Sequence, residues 1–305
     1  MINKFAAPLI GVALLAGPVH AQDATKAASA PAAATVDADP ALWVVKDDDT
    51  TIYLFGTFHA LQPGLSWFDD AVKQAFDNAD TAVFEIDSSD TAAIQAAARK
   101  NGIVASGEPF TAKMSAKEKA QYEAALKQYG LPPTAFDRMK PWLAAVTLTV
   151  LGTQKAGFDP KQGAEATLID AAKKAGKTVD TLETPEQQLG FFNALSEDQQ
   201  IRFLNETVAD MDHPSEMLNK MMHYWAAGQP DKLGALLNEE LTESPEMAKV
   251  LLFDRNQRWA KQIKGMLAKP GTVFVAVGAG HLAGPNDVQD DLAKLGVKAI
   301  RVQYD

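Results

Sequence analysis

The sequence predicts an α/β protein, in which a mixed sheet with an N-terminal hairpin and parallel strands is flanked by helices and carries a large helical insertion. Residues 42–45 and 51–57 are rich in strand-forming side chains and are separated by the polar residues 46–50, which predicts an antiparallel hairpin. Residues 272–277 form an almost continuous apolar run, as expected of a strand covered on both faces. Between these ends, residues from about 91 to 260 show mostly helical patterns.

A strand–helix–strand unit follows the hairpin. Residues 67–80 carry apolar side chains at helical spacing, and residues 82–87 form a short apolar run that ends in acidic residues. This order favours a parallel pair of strands joined by a right-handed crossover. A helix over residues 286–295 and a strand over residues 297–304 are expected to complete the sheet end of the chain.

Caps and breakers indicate where elements of the insertion begin. Ser115 and Glu118 resemble a capping box, and Pro185 can open a helix at its first position. A strand is predicted over residues 177–183, and helices are predicted over residues 111–130, 141–153, 163–175, 196–210, 214–227, 230–241 and 244–268.

The N-terminus has the pattern of an export signal. Lys4 precedes a short apolar core at residues 6–16, and a small-x-Ala sequence predicts cleavage after Ala21. The Ala-rich residues 22–41 are expected to form a disordered leader, and residues 42–305 a single domain. These features predict a periplasmic or secreted protein.

The composition narrows the possible partners and chemistries. The chain has 305 residues, no cysteine and a formal net charge of −10, which becomes 28 − 39 = −11 once Lys4 is removed with the signal. An acidic surface repels phosphate backbones, so nucleic acid is not an expected partner. No cysteine can serve as nucleophile or metal ligand, and no long apolar run follows the signal to span a membrane. No pattern indicates an oligomeric state.

Two histidines share one local setting near opposite ends of the chain. His59 and His281 each end a Gly-x-x-His turn that directly follows a hydrophobic strand. Such turns present a side chain at the carboxyl end of a strand, which is where open α/β sheets bind ligands. A single histidine of this kind is more often a solvated strand end, but two in matched settings predict a shared functional site.

Glu85 adds a carboxylate to this prediction. It lies within an apolar run at the end of a third predicted strand, where an unpaired charge is costly, so it requires a partner. Two imidazoles and one carboxylate suit a divalent metal with open positions, and the same three groups can serve as general acid and base without metal. The sequence contains neither a His-Glu-x-x-His zinc-protease motif nor a Gly-x-Ser-x-Gly nucleophile elbow, and residues 278–284 do not match a dinucleotide-binding pattern.

Other candidate residues carry weaker signals. Arg255 lies in an amphipathic helix and can orient a substrate carboxylate or stabilise an oxyanion, although a solvated helix face explains the pattern equally well. His213 and His223 lie in Met-rich helical sequence and are given no role.

These segments together resemble proteins of the TraB/GumN family. Residues 42–45 and 52–59 are similar to the opening of that family, Glu85 to its strand-end glutamate, and residues 277–282 to its closing motif. Its middle signature resembles residues 157–159, 177–184 and Gln187, and its arginine-containing helix resembles Arg255 and Asn256. The resemblance covers roughly residues 42–304.

The resemblance implies a chemistry for the site. The family is similar to the Tiki metalloproteases, which use manganese or cobalt with two Gly-x-x-His motifs and a glutamate, and more distantly to erythromycin esterases and ChaN-like haem-binding proteins. By matching positions, His59, Glu85 and His281 would bind the metal or activate water, with Arg255 in support.

The sequence therefore predicts an exported metal-dependent hydrolase, most simply a peptidase, with Mn or Co as the metal and a peptide or small molecule as the substrate. One alternative is a non-catalytic protein that binds or sequesters a peptide, haem or another small ligand. A third interpretation, a scaffold in envelope polysaccharide export, rests only on the family's gene associations.

Overall fold

A computed structural model of the protein describes residues 35–211, 214–241 and 244–304. A mixed sheet of six strands is flanked by helices, which confirms the predicted α/β class. The predicted signal peptide and most of the predicted leader lie outside the described residues.

The described residues contain eight strands in two sheets. β1 and β4 form a small parallel pair, and the main sheet has the order β6-β5-β7-β3-β2-β8. The strands are β1 (Val36–Asp37), β2 (Leu42–Lys46), β3 (Thr50–Thr57), β4 (Leu65–Ser66), β5 (Thr81–Phe84), β6 (Thr178–Thr181), β7 (Gly271–Gly278) and β8 (Ile300–Arg301).

Helices account for most of the insertion. They are α1 (Asp70–Asn78), α2 (Thr91–Gly102), α3 (Ala116–Gln128), α4 (Pro141–Lys155), α5 (Ala164–Lys174), α6 (Pro185–Asn193), α7 (Glu197–Asp210), α8 (Pro214–Ala226), α9 (Pro230–Leu241), α10 (Pro245–Ala248), α11 (Asp254–Met266) and α12 (Val288–Lys294). A π-helix (Lys249–Phe253) joins α10 to α11, and 3₁₀ turns occupy Phe110–Lys113, Pro160–Gln162 and Ala279–Leu282. Among the described residues, no helix has both the length and the apolar character needed to cross a membrane.

The structure confirms the predicted hairpin of β2 and β3, but it does not pair β3 directly with β5, the next strand of the predicted unit. β2 and β3 are antiparallel, with Val44 opposite Tyr53. β3 and β5 run parallel to each other, but β7 lies between them and pairs with both. The long apolar run of β7 makes it the best strand for the centre of the sheet, where both faces are covered. The two strands of the predicted strand–helix–strand unit, β3 and β5, are therefore separated by β7 and do not pair with each other.

The fold begins earlier than predicted. β1 pairs with β4, the Ala38 side chain is buried in the core, and the Asp39 N–H donates to the Ala226 carbonyl. The end of the assigned leader therefore belongs to the domain. The Ala-rich sequence does not predict these contacts, because short strands that pair with distant segments leave little periodicity in the sequence.

Two predicted helices are interrupted. The helix expected over residues 111–130 consists of a 3₁₀ turn and then α3, which begins at the predicted capping box of Ser115 and Glu118. The helix expected over residues 244–268 contains the π-helix. The last predicted strand is reduced to β8, which pairs with β2.

Hydrophobic packing covers both faces of the sheet and fills the helical layer. Phe55 and Phe274 face a cluster that includes Trp67 and Trp225, and the opposite face packs against Trp259 of α11. A separate helical core contains Trp142, Phe192 and Phe203. The insertion thus has its own core while it also covers the sheet.

The start of α5 packs directly against the turn that contains His59. The Ala164 N–H donates to the Phe58 carbonyl at 2.9 Å, and a Cβ placed on Gly163 would lie 2.1 Å from the His59 carbonyl oxygen. No side chain fits at residue 163, because any Cβ would force the helix away from the turn.

We therefore expect Gly163→Ala to lower the free energy of unfolding by roughly 1–3 kcal/mol or more, as overpacked sites do. Gly265→Ala is the control, since Gly265 is exposed in α11 with no atom within 4 Å of its added Cβ, and the change should raise stability by about 0.5–1 kcal/mol. Urea unfolding measures both. Equal stability of the two variants would contradict the close approach.

Candidate functional site

The three predicted residues meet at one edge of the sheet. β3, β5 and β7 are parallel, and His59, Glu85 and His281 each follow the carboxyl end of one of these strands. Glu85 is one residue beyond β5, and its Oε1 lies 3.9 Å from Nε2 of His281. His59 is two residues beyond β3 and is electrostatically coupled to Glu85. All three side chains are buried.

The glycines of the two Gly-x-x-His turns have different roles. A Cβ on Gly56 would lie 3.0 Å from the Cα of Ala279, so this glycine lets the first turn pack against the second. Gly278 instead supplies its backbone N–H, which donates to Oε1 of Glu85 at 2.7 Å. The repeated motif therefore forms one interlocked structure rather than two independent turns.

Glu85 is a buried carboxylate with three hydrogen-bond donors. Besides the Gly278 N–H, Nη2 of Arg255 donates to its Oε2 at 2.6 Å, and Nε2 of Gln188 donates at 3.0 Å. Burial alone would raise the pKa of Glu85, but the Arg255 charge, with smaller contributions from His281, His59 and the Gly278 N–H, lowers it to about 2. Glu85 is therefore ionised at neutral pH.

Arg255 is the central cation of the site. Its Nε and Nη2 donate to both oxygens of Glu183, Nη2 also donates to Glu85, and Nη1 faces the Leu251 carbonyl and the His281 ring. The guanidinium also stacks over Trp259, 4.6 Å from the ring centroid. Because the five N–H groups of arginine all have partners here, no donor is left to bind a substrate.

The helix that carries Arg255 supplies further site residues. The π-helix precedes α11, and its Leu251 carbonyl accepts from the Arg255 side chain at 3.1 Å. One turn further along α11, Nε1 of Trp259 donates to Oε1 of Glu183 at 3.1 Å. Single-turn π-helices are frequent at functional sites, and this one directs the start of α11 at the strand ends.

Asn256 determines the tautomer of His281. The Asn256 amide nitrogen donates to the Asn286 carbonyl at 2.8 Å, so its oxygen accepts from Nδ1 of His281 at 2.6 Å. The proton on Nδ1 leaves Nε2 as an acceptor for Nη1 of Arg255 at 3.2 Å. Burial, followed by the Arg255 charge, lowers the pKa of His281 to about 3, so the ring is neutral.

His59 is in a different environment. Its Nδ1 lies 3.4 Å from Oε2 of Glu165 on α5, and among the described residues its Nε2 has no hydrogen-bond partner. Burial opposes a charged ring, but the Glu165 carboxylate 3.4 Å away outweighs it and raises the pKa of His59. Burial also raises the pKa of Glu165, so the two buried groups compete for a proton. The site thus holds one neutral histidine and one basic histidine.

Sequence patterns do not predict every residue of the site. No motif marks Glu165 or Gln188, whereas Glu183 lies in a segment that resembles the family and Asn256 is the neighbour of Arg255. Glu165 lies among alanines on a helix face that is buried, which is a weak signal of a partnered carboxylate. These residues lie in the helical insertion, far along the chain from the strand ends that they contact. Such contacts form only when the chain folds, so local sequence patterns do not predict them.

His223 is exposed in α8 and lies apart from this cluster. His213 lies outside the described residues. Arg255, by contrast, lies at the centre of the cluster and not on a solvated helix face.

The arrangement does not fit a divalent metal held by all three predicted ligands at once. Arg255 is 3.2 Å from Nε2 of His281 and 2.6 Å from Oε2 of Glu85, so an ion bound to both would stand against a guanidinium. Of the three predicted ligands, only His59 has a ring nitrogen without a partner among the described residues.

Another set of ligand-type residues lies elsewhere. Among the described residues, three such groups come within 4.8 Å of one another only at Asp37, Asp69 and Asp70. These aspartates are near β1 and the start of α1, are exposed or half-exposed, and are of a kind that is common without an ion.

Comparison with known proteins places the chain in a wider group. The TraB/PrgY/gumN family profile matches residues 41–301. The chain is 25% identical over 251 residues to "Uncharacterized protein YbaP" of Escherichia coli strain K12, covering 82% of this chain and 90% of YbaP. It is 20% identical over 266 residues to an "Uncharacterized protein" of Treponema pallidum strain Nichols, covering 83% of this chain and 80% of that protein. No solved structure matches the chain.

Replacing Arg255 tests how much its charge stabilises the protein through the two buried carboxylates that it contacts. We expect Arg255→Met to lower the free energy of unfolding by roughly 3–5 kcal/mol, because Glu85 would be left buried without a cation and Glu183 would keep only the partly exposed Arg258, 3.7 Å away. Arg258→Met is the matched control one turn along α11, where the side chain is 45% exposed and the expected loss is under about 1 kcal/mol. Denaturant unfolding at pH 7 compares them, and losses of similar size would show that Arg255 does not organise the site.

Proposed function

The chain belongs to the TraB/PrgY/gumN family, and we propose that it is a hydrolase in which His59 activates a water molecule for attack on a peptide bond. The observation that carries this proposal is the His59–Glu165 pair. The Glu165 carboxylate lies 3.4 Å from Nδ1, where it would orient the ring, and Nε2 has no partner among the described residues. This is the arrangement that a histidine general base requires, and such contacts are often long before a substrate binds.

The proposed reaction uses the two environments of the site. Nε2 of His59 takes a proton from water as the oxygen attacks the carbonyl carbon, and Glu165 stabilises the imidazolium that forms. The proton on Nε2 then passes to the leaving amine as the carbon–nitrogen bond breaks. Arg255, Glu85 and His281 are positioning residues in this scheme, because their polar atoms bind each other.

The substrate and the location are further parts of the proposal. The resemblance to the Tiki proteases makes peptides the first substrates to test, and the signal-like N-terminus supports action in the periplasm or outside the cell. A metal-dependent form of the same hydrolase is a second candidate. The open Nε2 of His59 favours it, and it requires Arg255 to leave His281 and Glu85.

The hydrolase proposal is tested with a mixed library of unstructured decapeptides and mass spectrometry of the products. We expect cleavage by the mature protein and a loss of at least about 100-fold in His59→Ala, since general base catalysis contributes that much or more. His223→Ala is the control, because this histidine is exposed and outside the cluster.

The same assay separates the alternatives. Cleavage that persists after chelation supports the metal-free form, whereas activity restored only by Mn²⁺, Co²⁺ or Zn²⁺ supports the metal-dependent form. Binding without any product would instead support a sequestering protein. Full activity in His59→Ala would rule out the proposed base.

The pH profile tests the role of Glu165. A general base acts only when it is unprotonated, so the rate should rise with pH through the raised pKa of His59, above its ordinary value. In Glu165→Gln the burial of His59 remains while the negative partner is lost, so this limb of the profile should move to lower pH. The maximal rate should also fall, by roughly 10-fold or more, because a weaker base removes the proton less readily.

Glu186→Gln controls for a general change of charge. Glu186 is exposed on α6 and pairs with Lys100 at the surface, so its loss should leave the profile in place. A profile that is identical in Glu165→Gln and the wild type would show that Glu165 does not act through His59.

A further inference from the structure

Gln188 on α6 has a fixed orientation beside Glu85. A capping box between Thr184 and Gln187 sets the start of α6, and the backbone of Glu183 pairs with that of Glu85 just before it. The Gln188 side chain is 1% exposed, and its Nε2 donates to Oε2 of Glu85 at 3.0 Å.

The charge of Glu85 settles which end of the Gln188 amide faces which way. A carboxylate only accepts hydrogen bonds, so the NH₂ group must face Glu85 and the carbonyl oxygen must face elsewhere. That oxygen, Oε1, is buried and has no donor among the described residues. A buried acceptor without a partner costs free energy, which a ligand that supplies an N–H would recover.

The hydrogen bond to Glu85 distinguishes Gln188 from the other glutamines with an unpartnered Oε1, which are Gln200, Gln229 and Gln289. Thr57, which ends β3 two residues before His59, also has a buried hydroxyl with no partner among the described residues. Gln200 has an unpartnered Oε1 as well, but it lies in the helical core, where its Nε2 donates to the Leu195 carbonyl. Gln188 therefore carries an unpartnered acceptor beside Glu85, a position that a polar ligand would complete.

We propose that Oε1 of Gln188 accepts a hydrogen bond from a backbone N–H of the substrate, so that the site selects amide-containing chains over the corresponding esters. This inference rests on the proposed hydrolase function and assigns Gln188 as a specificity-determining residue. Glu85 would hold Gln188 in place, which links the central ion cluster to substrate recognition.

The test replaces single backbone N–H groups of the substrate by oxygen. The probe is the decapeptide of the library that the wild type cleaves fastest, together with its analogues that each contain one ester at a non-scissile position. We expect an ester at one position of the decapeptide to raise KM roughly tenfold in the wild type, because this ester leaves Oε1 of Gln188 without its donor. In Gln188→Met the same ester should change KM less than twofold. Gln200→Met is the matched control and should retain the wild-type pattern.

The outcomes separate this inference from the proposed function. If the peptides are cleaved but no position is sensitive, or if Gln188→Met keeps the sensitivity, the assignment of Gln188 is wrong and the hydrolase proposal stands. If no peptide is cleaved, the hydrolase proposal fails. The tightest-binding decapeptide and its ester analogues are then compared by calorimetry, where a Kd penalty at one position that vanishes in Gln188→Met supports the inference and its absence overturns it.

Discussion

The site depends on the burial of Arg255 between Glu85 and Glu183. Each carboxylate follows a strand of the same sheet, and their backbones pair with each other, so the fold forces two acids together away from water. Neither could remain ionised there alone, because burial penalises an unpaired charge. One guanidinium bonds to both carboxylates and to the His281 ring. The cation therefore sets the ionisation of its neighbours as well as their positions.

This constraint explains why the helical insertion belongs to the site. The strands that carry His59 and His281 come from opposite ends of the domain and are adjacent in the sheet. The segment between them returns Glu165 from α5, Gln188 from α6 and Arg255 from α11 to the same edge. The insertion therefore supplies the partners of the strand-end residues, although most of its volume is packed around a core of its own.

The two histidines differ because their partners differ. His281 faces a cation on one side and a neutral amide on the other, so it is held neutral. His59 faces a carboxylate and is made more basic. Opposite shifts of this kind within one cluster are a common basis for dividing acid–base roles between similar side chains. In the proposed reaction, His59 is therefore the residue that transfers protons.

The sequence by itself determined the class of fold, the hairpin, the central apolar strand and the convergence of His59, Glu85 and His281. These features follow from local periodicity and from the rule that parallel strands end at one edge. Only the tertiary structure decided that β7 separates β3 from β5, that residues 36–38 join the fold, and that Arg255 rather than an open ligand position faces His281 and Glu85. Glu165 and Gln188 lie about a hundred residues from the strand-end groups they contact, and such pairings leave no local pattern in a single sequence. Their partners are fixed by packing and by the need to neutralise buried charge.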